Sequence, residues 1–181
     1  MESFLNLVKN RQSVRAYKTN PVEKEKIERC LEAARLAPSA CNAQPWKFIV
    51  VDNPTLKNQV AETTSNKLLP LNHFTKQAPV HVIITREKAN ITSRIGQFVR
   101  DKEFPVMDIG IAAEHFCLQA TAEGLGTCML GWFNENKVKE LLSIPKNKRA
   151  ELIITLGYPK DETIRTKKRK PIEEIYSFNK Y

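Results

Sequence analysis

Apolar positions recur along the chain at two periods, and the alternation between them separates helices from strands. Phe4, Leu5 and Val8 fall on one face of a short helix predicted over residues 2–10. A second helix is expected to open at Asn20-Pro21, since proline suits a first helical turn. Val22, Ile27, Leu31 and Ala34 follow at helical spacing, and Pro38 ends it. Residues 46–51 read as a strand between Gln44-Pro45 and Asp52-Asn-Pro54. A helix from Pro54 to about Ser65 is followed by a loop holding Pro70 and Asn72, then by a β-branched strand over residues 79–85.

Residues 86–104 are polar and weakly periodic, which predicts a surface loop or short helix. The longest apolar helix is expected to begin near Asp108 and run through Ala122. Its small residues, Ala112, Ala113, Cys117 and Ala120 beside Ile109 and Phe116, imply burial on more than one side, against the core or another subunit. Gly124-Leu-Gly126 stops it. A short apolar stretch over 127–130 precedes a helix capped by Asn134 and running to Leu142, and residues 151–156 form a further strand. The basic tail keeps Ile172, Ile175, Tyr176 and Phe178, which a free tail has no reason to carry, so packing on something such as a neighbouring subunit is expected. Without regular βαβ alternation, the pattern predicts a mixed α+β fold, as a single domain over 1–181.

Composition excludes some classes. With 41% hydrophobic and 27% charged residues, the chain is that of an ordinary globular protein. No apolar run approaches the ~20 residues of a membrane span, and the start lacks a basic leader followed by an apolar stretch, so no membrane association and a cytoplasmic location are expected. Cys30, Cys41, Cys117 and Cys128 lack CxxC spacing, and His73, His81 and His115 are scattered. Buried thiols are therefore expected rather than disulfides or a metal site. The net charge of +9 raises nucleic acid as a partner. Much of the excess sits in Lys146–Arg149 and Arg165–Lys170 with no nucleic-acid-binding motif, so a solvated basic surface, or one attracting phosphorylated cofactors, is preferred.

Two segments could carry chemistry. If Arg11-Gln12-Ser13-Val14-Arg15 is extended, residues 11, 13 and 15 project to one side, and two guanidinium forks flanking a hydroxyl make a phosphate clamp. On this segment alone, two solvated arginines at a helix end is the preferred reading. In Ala37–Trp46, two prolines stiffen a turn from which Asn42 and Gln44 could meet the mixed edge of a heteroaromatic ring. Amides that bond their own loop fit equally well.

Together these segments resemble the N-terminal signature of the FMN-dependent nitroreductase family: Arg11-x-Ser13-x-Arg15-x-Tyr17, then Ala37-Pro-Ser-Ala-x-Asn-x-Gln-Pro-Trp46. Asp108-Ile-Gly-Ile-Ala-Ala, Gly124–Gly131, Leu156–Pro159 and Arg169–Ile175 continue the resemblance in the family's order over nearly the whole chain. The resemblance implies an α/β/α sandwich with a mostly antiparallel sheet. It also implies an intertwined homodimer that exchanges C-terminal tails and holds FMN at its interface.

Carried over by position, Arg11, Gln12, Ser13 and Arg15 would bind the FMN phosphate, ribityl chain and part of the ring edge, and Lys167 and Arg169 would complete the phosphate site. Pro38, Ser39, Ala40, Asn42 and Gln44 would reach the flavin from the partner subunit. Leu130 and Gly131 would bring backbone close to the ring near N5. Gln12 stands where a basic residue or histidine is common, which points to a backbone contact there. Leu130 replaces an acidic residue of some members, and Asn66 and Asn72 both compete for the family's mid-chain amide.

The implied chemistry is hydride transfer from NAD(P)H through flavin N5 to a nitro compound or quinone, with ping-pong kinetics and no catalytic side chain. Alternatives are a specialised flavoenzyme of the same fold acting on a dedicated metabolite, or a basic non-catalytic nucleic-acid-binding module.

Overall fold

A computed structural model of the protein describes residues 3–65, 71–88 and 103–181. Among them, β1 (Trp46–Val51), β2 (Val80–Arg86), β3 (Gly126–Leu130) and β4 (Arg149–Gly157) form one antiparallel sheet in the order β1-β2-β4-β3. The helices are α1 (Phe4–Asn10), α2 (Lys24–Arg35), α3 (Pro54–Thr63), α4 (Phe104–Ala122) and α5 (Glu135–Leu141).

Because β2 is buried on both sides, its alternation feeds two cores. Val80, Val82 and Ile84 face α2 and α4 with Ile154 and Leu156 of β4. Ile83 faces α3 and α5 with Ile153, Cys128 and Leu130. The mixed α+β expectation is met, with helices on both faces of the sheet. A bulge places Ile84 opposite Leu152 but Thr85 opposite Ala150, so the pairing skips Glu151. That single extra residue switches faces: Leu152 packs in the first core and Ala150 in the second.

Several boundaries differ from expectation. α2 starts at Lys24 rather than after Asn20-Pro21, because Glu23 is held in extended backbone with its carboxylate accepting from the Tyr158 hydroxyl at 2.6 Å. α4 starts four residues before Asp108, with Pro105 in its first turn. Asp108 is thereby moved inward from the end, where its carboxylate accepts from the backbone of Ala40 instead of capping the helix. Most of the loop expected over 86–104 lies outside the described residues. Gly124 ends α4 at φ 74°, and Asn134 caps α5 by accepting from Lys137 N, both as expected. Cys30, Cys117 and Cys128 are buried, whereas Cys41 is exposed on its loop, contrary to the expectation of four buried thiols.

His81 is fully buried on the α3/α5 side of β2, opposite Thr155. Burial, with a smaller effect from Lys57, pushes its pKa from 6.5 down to about 4. Between those values the unfolded chain carries the extra proton, so this contribution to stability is intact above about pH 6.5 and is lost as pH falls toward 4. Stability is expected to drop by about 2 kcal/mol between pH 7 and 5 through this residue. Urea denaturation at both pH values checks it, and His81→Leu should flatten the slope.

Two apolar surfaces remain uncovered. Phe4 and Leu5 of α1 are 71% and 61% exposed, and Met107 and Ile111 of α4 also face outward. From Pro171 on, every residue of the tail is exposed, with Phe178 at 83%. The apolar tail therefore does not pack on its own chain.

Candidate functional site

The site begins where α1 ends. Arg11 leaves the helix in extended backbone, and Ser13 forms a parallel bridge with Thr127, where Val14 N donates to Thr127 O at 2.8 Å. The segment is extended as the side-to-side reading requires. Gly126 permits this approach: a Cβ there would meet Val14 Cγ2 at 2.6 Å. Gly126→Ala is expected to cost about 1–3 kcal/mol in urea unfolding, because the displaced Val14 is held between Ser13 and Arg15. Downstream, Tyr17 is anchored by its hydroxyl to Val14 O and Thr155 Oγ1 at 2.9 and 2.6 Å. Burial raises that phenol's pKa and keeps it neutral.

The tail crosses over this segment and is clamped by Gln12. Its amide donates to Thr163 O at 2.9 Å and accepts from Arg165 N and Nε at 3.2 and 3.1 Å. The side chain thus does structural work that the expected backbone contact left out. Arg165 also donates to Ser13 O, and Lys167 donates to Val8 O and Lys9 O, satisfying carbonyls at the end of α1.

The result is a cleft of about 330 Å³ lined by Arg11, Gln12, Ser13, Arg15 and residues 165–169. No acid lines it. Glu114 of α4 stands behind, 3.0 Å from Arg11 Nε. Partial burial, then Arg11 and Arg169, push the Lys167 ammonium below its ordinary pKa. Arg15 makes no hydrogen bond or ion pair among the described residues, and Arg169 Nη1 donates to Lys168 O.

Thus six residues expected at a phosphate site, from Arg11 to Arg169 and 158 positions apart at the extremes, meet in one cleft. Arg165 was missed, although it opens the basic run. Glu114 was missed because nothing in the sequence pairs it with Arg11.

The second group lies elsewhere. Around the 3-10 turn Ala40–Asn42, the Ser39 hydroxyl accepts from Gln44 N at 3.0 Å, and Gln44 Nε2 donates to Asn42 Oδ1 at 3.0 Å. Within this chain the two amides bond each other, the loop-bonding alternative. Cys41, Asn42 and Gln44 have φ of 51, 52 and 45°, an uncommon concentration of left-handed backbone in non-glycine residues. Pro38, Asn42 and Gln44 are exposed, and none of residues 38–44 lines the basic cleft of their own chain.

The third group closes β3. Leu130 is buried and Gly131 is exposed, and a Cβ on Gly131 would meet nothing within 4 Å. Neither crowding in this chain nor a positive φ calls for glycine there. Strand geometry sets Gly131 roughly 13 Å along β3 from Thr127, where Ser13 is bridged. Beyond it, Trp132 borders a second cleft of about 840 Å³ with Phe133, Asn134, Glu62, Thr63, Ser65 and His73. Of the mid-chain amides, Asn72 donates to Thr64 O at 3.2 Å, and Asn66 lies outside the described residues.

The order of the basic segment, the proline-bounded loop and the Leu130-Gly131 turn is matched by a family profile. The nitroreductase family matches residues 8–158. The chain belongs to this family. It is 35% identical over 167 residues, 90% of this chain and 88% of the other, to an Archaeoglobus fulgidus protein provisionally named NADH dehydrogenase/NAD(P)H nitroreductase. An FMN-dependent nitroreductase from Clostridium difficile R20291 superposes with a TM-score of 0.79 at 29% identity, covering 98% of this chain and 100% of that one. An iodotyrosine deiodinase from Thermotoga neapolitana is 28% identical over 181 residues, 89% of this chain and 91% of its own. The nitroreductase fold and an oxidoreductase function follow. Among the described residues, no helix is long and apolar enough to cross a membrane.

Proposed function

We propose that this nitroreductase-family protein is an FMN-dependent oxidoreductase that passes hydride from NAD(P)H to a small nitro compound or quinone by a ping-pong mechanism. The observation that carries the reading is the basic cleft built from two distant segments. Its cations have no carboxylate among their lining residues, and a phosphate supplies the missing charge. When bound, the flavin supplies the hydride chemistry.

The chain's own residues position that group. Arg11, Arg15 and Arg169, with Arg165, fit the phosphate, and the Ser13 hydroxyl suits a phosphate or ribityl oxygen. Gln12 and Lys167 hold the two walls together through the bonds described above. Gly131 leaves the backbone after β3 open to a ring, which accounts for a glycine that its own chain does not require. We assign the exposed Pro38, Asn42 and Gln44, with the half-buried Ser39 and Ala40 between them, to the flavin of a second subunit. Homodimerisation with tail exchange would cover the apolar residues left exposed on α1, α4 and the tail. The cytoplasm, which holds the NAD(P)H pool, is the location this activity requires.

The test is the absorbance spectrum of the purified protein, then anaerobic mixing with NADH or NADPH, then steady-state turnover with nitroaromatic and quinone acceptors. A bound flavin bleached by a nicotinamide, with parallel double-reciprocal lines, is expected. Absence of NAD(P)H oxidation with every acceptor would sink this reading. The deiodinase relative favours one second reading, reductive chemistry on a dedicated metabolite, for which halotyrosine turnover is the assay.

A further inference from the structure

Trp132 stands 62% exposed at the rim of the 840 Å³ cleft, while the chain's other tryptophan, Trp46, packs against the core. The indole is not on a loose loop. Phe133 beside it packs into the α3/α5 core, Asn134 N donates to Thr63 O at 2.8 Å, and the Asn134 side chain caps α5. The backbone carrying this large aromatic side chain is thus anchored just beyond it, and the indole has no ring partner among the described residues.

The cleft lacks the positive charge of the basic cleft. Glu62 is its one acidic or basic lining residue apart from His73, and Glu62 is paired with Lys76 at 3.1 Å. Trp132 and Phe133 supply aromatic surface, and Ser65, His73 and Asn134 supply polar groups. Its volume is that of a small-molecule site. It also opens one residue beyond Gly131, at the end of β3 away from the Ser13–Thr127 bridge.

We propose that this second cleft receives the electron acceptor, and that Trp132 determines its class by stacking on planar, uncharged aromatic molecules. The inference rests on the functional reading above, which places the flavin ring at Gly131. The basic cleft is taken by the FMN phosphate, and the near-neutral one is left for acceptors of the nitrobenzene and naphthoquinone kind.

The experiment uses the full-length, FMN-loaded protein as wild type, Trp132→Leu and Trp132→Phe. Re-oxidation of the nicotinamide-reduced protein is followed with nitrobenzene, with a naphthoquinone, and with ferricyanide as a non-aromatic acceptor. Trp132→Leu is expected to raise KM for both aromatic acceptors by about 3- to 10-fold. Trp132→Phe should restore most of the loss, and the ferricyanide rate and the reduction step should not change. Equal losses with ferricyanide, or no change with the aromatics, overturn the proposal. In a Trp46→Phe background Trp132 is the remaining tryptophan, and ready quenching by acrylamide is expected. An indole shielded by a second copy of the chain overturns the proposal as well. A wild type that oxidises no nicotinamide with any acceptor removes the functional reading and this inference together. A wild type that turns over, with Trp132→Leu indistinguishable from it, removes this inference alone.

Discussion

Replacing Arg15 and Arg169 together by alanine is expected to weaken FMN binding by about 100-fold or more while leaving the fold intact. A hydrogen bond to a charged group contributes about 1.5–3 kcal/mol, roughly 10- to 100-fold in affinity for each arginine. The pair is chosen because its loss strands nothing. Arg11 is braced by Glu114 and Lys167 caps α1, so removing either would orphan a carboxylate or free a helix end. Arg15 has no such duty, and Arg169 bonds only the carbonyl next to it among the described residues. Titrating the apoprotein with FMN measures the effect. The double variant should also show a shallower dependence of affinity on salt, since fewer charges meet the phosphate. Unchanged affinity with an unchanged melting temperature would remove the basic cleft as the phosphate site.

The second large effect is expected from ending the chain after Lys170. This deletion spares the cleft, whose walls end at Arg169, and removes Ile172, Ile175, Tyr176 and Phe178, all more than half exposed. If they cover a second subunit, each contributes on the order of 1 kcal/mol or more of apolar burial. Even after the entropy of ordering the tail is subtracted, the dimer Kd should rise on the order of 1,000-fold. Sedimentation across a concentration series reads this directly. The truncated protein should be monomeric at micromolar concentration and short of flavin. A truncated protein that remains a flavin-loaded dimer would show that the tail exchange is wrong.

The fold was legible where a local pattern had one solution. The β-branched run of β2, the Asn134 cap and the Gly124 stop each act through neighbours in sequence, and each stands where the pattern put it. The start of α4 was misplaced because the expected opening at Asp108 passes over Pro105, which lies within the apolar run Phe104–Met107 and is well suited to a first turn. The bulge at Glu151 could not be read at all, since only the register with β2 reveals which residue is skipped. The site divides the same way. Alternation in an extended segment puts Arg11, Ser13 and Arg15 on one side, and the family resemblance marks that side as a candidate phosphate site. Their union with Arg165 depends on a Gln12 side chain spanning 153 positions, a tertiary fact. Trp132 was likewise invisible as a site residue, because an aromatic after a strand reads as core until its exposure is seen.

The bridge between Ser13 and Thr127 has a consequence for behaviour in solution. β3 is a border of the sheet, and a bare border offers unpaired backbone to any other chain that meets it. Here Val14 takes the Thr127 carbonyl, so the stretch that forms the basic cleft also guards that border. Loosening residues 11–15 therefore threatens two properties at once, the shape of the basic cleft and resistance to aggregation.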